Sequence, residues 1–275
     1  MKLSGPLIIN QPFQNHLPKS SGGWRSDPFK TEHVGEHILF AGCSMTMGDG
    51  LEKEDTWGYK TYQKIAETKS VDGFYNIAQS GFTCTEIINY VYKYINDYGK
   101  PDAIFIFLPD PGRDMKYVMP MDASTPFPDR AEVLGGLIYN AYFALDMYCK
   151  AAGIKLIAST WVADIAGCDR GLFPGYEDKI YYPGSDVERP HWKEQLMDSE
   201  RMHSMENSVT LLLSGFESFH PINPNQMEFE VFKYDNQKKG KEKKYSLIAA
   251  DAGAHPGTSF HDYWSDYMFN LYQNA

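Results

Sequence analysis

The stretch His37-Ile38-Leu39-Phe40-Ala41-Gly42-Cys43-Ser44-Met45-Thr46-Met47-Gly48-Asp49-Gly50-Leu51 decides how the rest of the chain is organised. Ile38, Leu39 and Phe40 make a short apolar run of the kind that forms a fully buried strand, and small residues crowd in around Ser44 immediately after it. Gly42, Gly48 and Gly50 let the backbone turn tightly or enter the left-handed region. The strand therefore stops there, and a serine hydroxyl is presented at its carboxyl end beside exposed backbone N–H groups. Open α/β sheets keep their sites at that end. The same residues also fit a glycine-rich strand-to-helix turn with no chemistry, and other segments have to separate the two.

Working outward, apolar runs alternate with helical periods. Asp55 and Thr56 are positioned to cap a helix with Tyr59, Tyr62, Ile65 and Ala66 at helical spacing. Phe74 to Ala78 reads as a second short strand, ended by Ser80-Gly81. Thr83-Cys84-Thr85-Glu86 has the capping-box pattern and opens a helix bearing Ile87, Ile88, Val91 and Ile95, which Gly99 and Pro101 end. Ala103 to Leu108 is a continuous apolar run suited to a strand buried on both faces. A helical pattern from Ala131 to Ala152 stops at Gly153, and Ile154 to Trp161 forms the next buried strand. These alternations predict an α/β fold, a three-layer α/β/α sandwich with about five parallel strands, near residues 38, 74, 103, 154 and 246, joined by right-handed crossovers.

Two regions break the rhythm. Residues 1–35 are rich in Pro, Gly, Ser and Asn and read as an extended N-terminal arm, ordered only where it lies on the body or on a neighbour, with Trp24 and Phe29 as anchors. The remaining residues, 36–275, read as one domain interrupted by an irregular insertion at about 162–245. Within the insertion, Pro190 is placed to start a helix and Met227 to Tyr234 alternates like a strand, while Tyr176, Tyr181, Tyr182 and Trp192 are candidates to cover a site or simply to pack.

Composition bounds the function. The chain has 275 residues and a formal charge of -10, which argues against a nucleic-acid surface. The basic run from Lys238 to Lys244 is broken by Gly240 and Glu242 and reads as a solvated loop. No run approaches the ~18 apolar residues of a membrane span, and Met1 to Asn10 has no signal-peptide pattern, so the expectation is a protein made in the cytoplasm with no membrane partner. Cys43, Cys84, Cys149 and Cys168 have no Cys-x-x-Cys spacing, which disfavours zinc and fits reduced thiols in the core. Cys43 is the exception, an alternative nucleophile beside Ser44. No metal or organic cofactor is expected.

The segment that separates chemistry from plain structure is Ser246-Leu-Ile-Ala-Ala-Asp251-Ala-Gly-Ala-His255-Pro-Gly257, a strand running into a loop with an acid and a histidine. A serine hydroxyl is a poor nucleophile until an imidazole takes its proton, and that imidazole needs a partner to fix its tautomer. Asp251 and His255 lie four apart across Gly253, so one tight turn can aim one ring nitrogen at the carboxylate and the other at Ser44. His220 and His261 lack partners at ligand spacing and read as surface or packing residues.

Together these segments resemble the SGNH/GDSL hydrolase family of serine esterases, lipases and carbohydrate deacetylases. Gly42 to Leu51 is similar to the family's first block, with Ser44 as nucleophile. Asn76-Ile-Ala-Gln-Ser-Gly81 looks like the second, which places the Gly81 N–H beside that of Ser44 in an oxyanion hole. Asp251-Ala-Gly-Ala-His255-Pro-Gly257 matches the Asp-x-x-His-Pro-Gly block and implies a Ser44, Asp251, His255 triad. The resemblance implies a flavodoxin-like sheet. The third block departs from the pattern, because Leu108-Pro-Asp-Pro111-Gly-Arg113-Asp114 stands where the family has Gly-x-Asn-Asp, and by position Pro111 replaces the oxyanion asparagine. Proline offers no donor. Arg113 is a candidate substitute donor and equally a candidate partner for a nearby carboxylate.

The expected activity is hydrolysis of a small acyl ester, an O-acetyl group on a carbohydrate, through an acyl-serine. An acyltransferase using the same triad is a further option. The competing expectation is a weak or silent SGNH-fold subunit that binds or builds, in a virus particle or cell-surface assembly, with oligomer contacts made through the N-terminal arm.

Overall fold

In the computed structural model of the chain, residues 25–109, 111–114, 127–160, 212–220 and 258–274 are described. Four strands, β1 (Ile38–Gly42), β2 (Tyr75–Asn76), β3 (Ala103–Leu108) and β4 (Lys155–Thr160), form one parallel sheet in the order β2-β1-β3-β4. Leu39 lies opposite Tyr75 on one side and Ile104 on the other, Gly42 opposite Phe107, and Leu108 opposite Thr160.

Every residue of β1 and β3 is buried, because helices cover both faces and alternate side chains feed two separate cores. Ile38, Phe40, Phe105, Phe107 and Ile157 pack against α2 (Trp57–Ala66) and α5 (Thr258–Asn274). Phe40 and Phe105 stack at 4.9 Å between ring centroids. On the other face Leu39, Ile104, Ile106 and Ala158 meet α3 (Cys84–Tyr98) and α4 (Phe127–Ala152). The result is the expected three-layer α/β/α sandwich. The order of the strands reverses at β1, with β2 on one side and β3 on the other, so the crevice where ligands enter such sheets lies at the carboxyl ends of β1 and its neighbours.

Local chemistry explains the helix limits. The Thr56 side chain accepts the Tyr59 N–H and caps α2, while Thr83 and Glu86 form the capping box of α3. The buried face of α2 is Trp57, Thr61 and Ile65, whereas Tyr59 and Tyr62 lie at its margin and Ala66 is exposed, so of the four apolar residues at helical spacing only Ile65 is fully buried. Helix α4 begins four residues before the expected start.

The fifth strand expected near 246 lies outside the described residues. Beside β4 runs a piece of the insertion: Phe219 bridges Ala158 in parallel, with the Ala158 N–H donating to Ser218 O and the His220 N–H to Ala158 O, both at 2.8 Å. Residues 25–36 lie along the opposite edge, where Asp27 N–H donates to Phe74 O at 2.8 Å and Phe29 packs edge-on to Tyr94. No helix among the described residues is long and apolar enough to cross a membrane.

Candidate active site

Ser44 opens α1 (Ser44–Met47), a single helical turn placed at the carboxyl end of β1 by the extended Cys43 before it. Gly42 makes this close return possible: a Cβ there would lie 1.9 Å from Thr46 Oγ1 and 3.1 Å from Phe107 O. The turn closes at Gly48, in the left-handed region with φ of 77°, whose N–H donates to Ser44 O at 2.7 Å. Ser44 is 2% exposed, and its Oγ sits 4.0 Å from Cys43 Sγ.

Cys43 belongs to the core beside Leu39 and Ala41. Burial pushes its thiol up, against the pull of the nearby Arg113 guanidinium, so it is held as an inert thiol. Cys84 and Cys149 are likewise buried, the Cys84 thiol donating to Pro109 O at 3.3 Å.

The Gly81 turn rises from β2 next to the Ser44 turn. Gln79 N–H donates to Gly42 O at 3.2 Å, and Ser80 Oγ donates to Asp49 Oδ2 at 2.6 Å, so the two loops are fastened to each other one residue before Gly81. Gly81 has φ of 80°, is exposed, and has open space where a Cβ would stand. Asn76 binds the same pair of segments from below: its Oδ1 accepts Ala78 N–H at 2.9 Å, and its Nδ2 donates to Thr46 O at 3.4 Å.

From β3 the chain enters a 3-10 turn, Pro111–Asp114. Pro111 is buried. Asp114 is wholly buried and accepts the N–H groups of Cys84 and Thr85 at 2.8 and 3.0 Å, which welds this turn to the N-terminus of α3. Burial pushes the Asp114 carboxyl up in spite of these bonds. Arg113 is half-buried, its charge acts on Cys43, and among the described residues no carboxylate forms an ion pair with it. Ser44, Gly81 and Arg113 thus stand at the carboxyl ends of three adjacent strands.

Asp251 and His255 lie outside the described residues. The helix that follows them is anchored at the same end of the sheet, because His261 Nδ1 accepts the Trp57 N–H at 2.9 Å and Trp57 opens the helix that follows the Ser44 loop. His261, 1% exposed, takes the packing role, one of the two that the sequence left open. Its partner, 204 residues away, had no local signal. Arg25 was missed as well. Its Nη1 donates to Met47 O at 2.8 Å, at the far end of the Ser44 turn, yet in sequence it is one cation in a Gly/Ser/Pro-rich arm.

No family model matches the chain, and no curated protein matches it. Among solved structures, it is similar to the psychrotrophic esterase EstA from Pseudoalteromonas sp., inhibited by monoethylphosphonate, at 15% identity over 86% of this chain and 98% of that one, with a TM-score of 0.47. A protein described as lipolytic and of the G-D-S-L family, from Desulfitobacterium hafniense, matches at 11% identity over 85% and 98%, with a TM-score of 0.47. The acetyl xylan esterase AlAXEase matches at 13% identity over 85% and 98%, with a TM-score of 0.43.

Proposed function

We propose that the chain is a serine hydrolase acting on small acyl esters, with an O-acetyl group on a carbohydrate as its substrate class. The carrying observation is that Ser44 opens a one-turn helix at the carboxyl end of β1, flanked by the Gly81 turn and the Arg113 turn from the strands on either side. The anchoring of α5 supports the rest of the triad: Thr258, its first residue, follows His255 by three residues, a span of at most about 10 Å. The carbohydrate preference rests on the SGNH/GDSL resemblance alone.

In this reading Ser44 Oγ attacks the ester carbonyl while His255 takes its proton and Asp251 holds the other ring N–H. The oxyanion is met by the N–H groups of Ser44 and Gly81, with Arg113 the candidate on the next turn to make up part of the asparagine donor that Pro111 lacks. Collapse breaks the bond to the alcohol, which leaves with the proton from His255. Water, deprotonated by the same imidazole, then attacks the acyl-serine and releases the acid. These steps call on no cofactor.

Pro111 tempers the rate. A missing oxyanion donor costs about 10² to 10³ in turnover. The expected outcome is weak hydrolysis of p-nitrophenyl acetate, abolished in Ser44→Ala at unchanged melting temperature, with a fluorophosphonate adduct on Ser44 by intact mass. Equal rates in wild type and Ser44→Ala, with no adduct, would overturn the proposal. That outcome would favour the second reading, a silent subunit of a virus particle or cell-surface assembly, to which the loss of the donor at Pro111 and the burial of Ser44 both lend support.

A further inference from the structure

We propose that Arg25 is a positioning residue for Ser44, closing the carboxyl end of the nucleophile turn from the N-terminal segment. The inference rests on the esterase reading above and adds to it a part of the chain outside every block of the family resemblance.

A helix of one turn has almost no stability of its own, since nucleation consumes more backbone freedom than its hydrogen bonds return. The Ser44 turn must be held from outside. Its start is fixed by β1 and Gly42, and the Ser44 carbonyl is occupied by the Gly48 and Asp49 N–H groups at 2.7 and 3.2 Å. Of the three remaining carbonyls, the last two are met from outside the turn. Thr46 O is met by Asn76 Nδ2 at 3.4 Å, a long contact, and Met47 O by Arg25 Nη1 at 2.8 Å, a charge-assisted one. Among the described residues Arg25 is thus the stronger of these two holds.

The guanidinium is itself held. Arg25 is half-buried, and Asp49 and Glu52 favour its charged form against the effect of that burial. Its Nη1 would lie 3.1 Å from a Cβ at position 48, so it is packed against the Gly48 cap. The backbone just after it is pinned to β2: Ser26 Oγ accepts Asn76 N–H at 3.0 Å, and Asp27 Oδ2 accepts Phe74 N–H at 2.9 Å. Asp49, beside Arg25, also takes the Ser80 hydroxyl, so the same carboxylate borders both the nucleophile turn and the Gly81 turn. A loose turn end would let Ser44 Oγ and the Ser44 N–H drift relative to Gly81, and misplacement of such groups is costly to catalysis.

The test uses the full chain and Arg25→Ala, Arg25→Gln and Arg25→Lys. We expect the rate constant for fluorophosphonate labelling of Ser44 to fall roughly ten- to hundredfold in Arg25→Ala, the scale of losing one charge-assisted hydrogen bond. Arg25→Lys should recover part of it. On p-nitrophenyl acetate the loss should appear in kcat with KM unchanged, and amides 44–51 should exchange faster while those of β3 and α3 do not. If Arg25→Ala does not fold, Arg25→Lys and Arg25→Gln decide, because only the former keeps the charge. Labelling equal to wild type in every folded variant would overturn the positioning role and leave the esterase reading standing. Failure of wild type to label at all would remove both.

Discussion

At the scale of single residues, Gly42 carries the sharpest constraint. A methyl group there would meet Thr46 Oγ1 at 1.9 Å and Thr46 Cβ at 2.5 Å, both close to the backbone of the nucleophile turn rather than at the end of a flexible side chain. Gly42→Ala should cost about 1–3 kcal/mol, as overpacking does, and pairing it with Thr46→Gly should return part of the loss in urea denaturation. At the opposite end of β1, His37 stacks on His33 at 3.5 Å and its Nε2 is hydrogen-bonded to the Tyr94 hydroxyl at 2.8 Å. Burial and the facing His33 ring push its pKa down to about 4, although Asp102 and Asp72 pull the other way. A histidine held neutral in this way favours the folded state fully above its unfolded value near 6.5, and that contribution fades as pH falls toward 4, by up to about 3 kcal/mol. Urea midpoints of wild type should therefore decline between pH 7 and 4.5 more steeply than those of His37→Gln. Ser44 was legible because glycines crowd one serine after an apolar run. The stacked histidines were not, since His33 lies in a segment with no period and only tertiary packing brings it to His37.

Among the elements, α3 shows how the sheet's loops are kept in register. Its N-terminus receives the Thr83–Glu86 capping box from its own chain and the Asp114 carboxylate from the turn after β3. Thr83→Ala should cost about 1 kcal/mol and Asp114→Ala about 1–3 kcal/mol, read from chemical denaturation. Because both substitutions act on the same first turn, the double variant should lose less or more than the sum. The capping box could be read directly from sequence, as could β1, β3 and β4, whose apolar runs need both faces covered. The buried face of α2 could not: Tyr59 and Tyr62 keep helical spacing, but Trp57 and Thr61 are the ones turned to Phe40, Phe107 and α5, a choice made by the partner and not by the helix. The segment beside β4 was equally hidden, because Phe219 sits between Ser218 and His220 with no apolar run to announce a strand.

For the whole molecule, the two helical layers are unequal in how they are joined. Helix α5 returns from the far end of the chain to cover β1, β3 and β4 with Trp264, Met268 and Tyr272, and ion pairs of Lys60 with Asp262 and Lys64 with Asp266 line its exposed margin. Exposed pairs of that kind contribute little, so Lys64→Glu should move the melting temperature far less than Met268→Ala, for which a buried cavity predicts a loss of about 2–5 kcal/mol. Strand order was beyond the reach of the sequence, since periodicity says which faces are buried and not which strands are neighbours. Both sides of the sheet also end in occupied hydrogen bonds. The N–H and C=O of Phe74, just before β2, and the Asn76 N–H are taken by Asp27 and Ser26, and Ala158 of β4 is taken by Ser218 and His220. A foreign strand arriving at either of these places would find these groups already engaged, so the sheet is guarded there against the edge-to-edge growth that seeds aggregates.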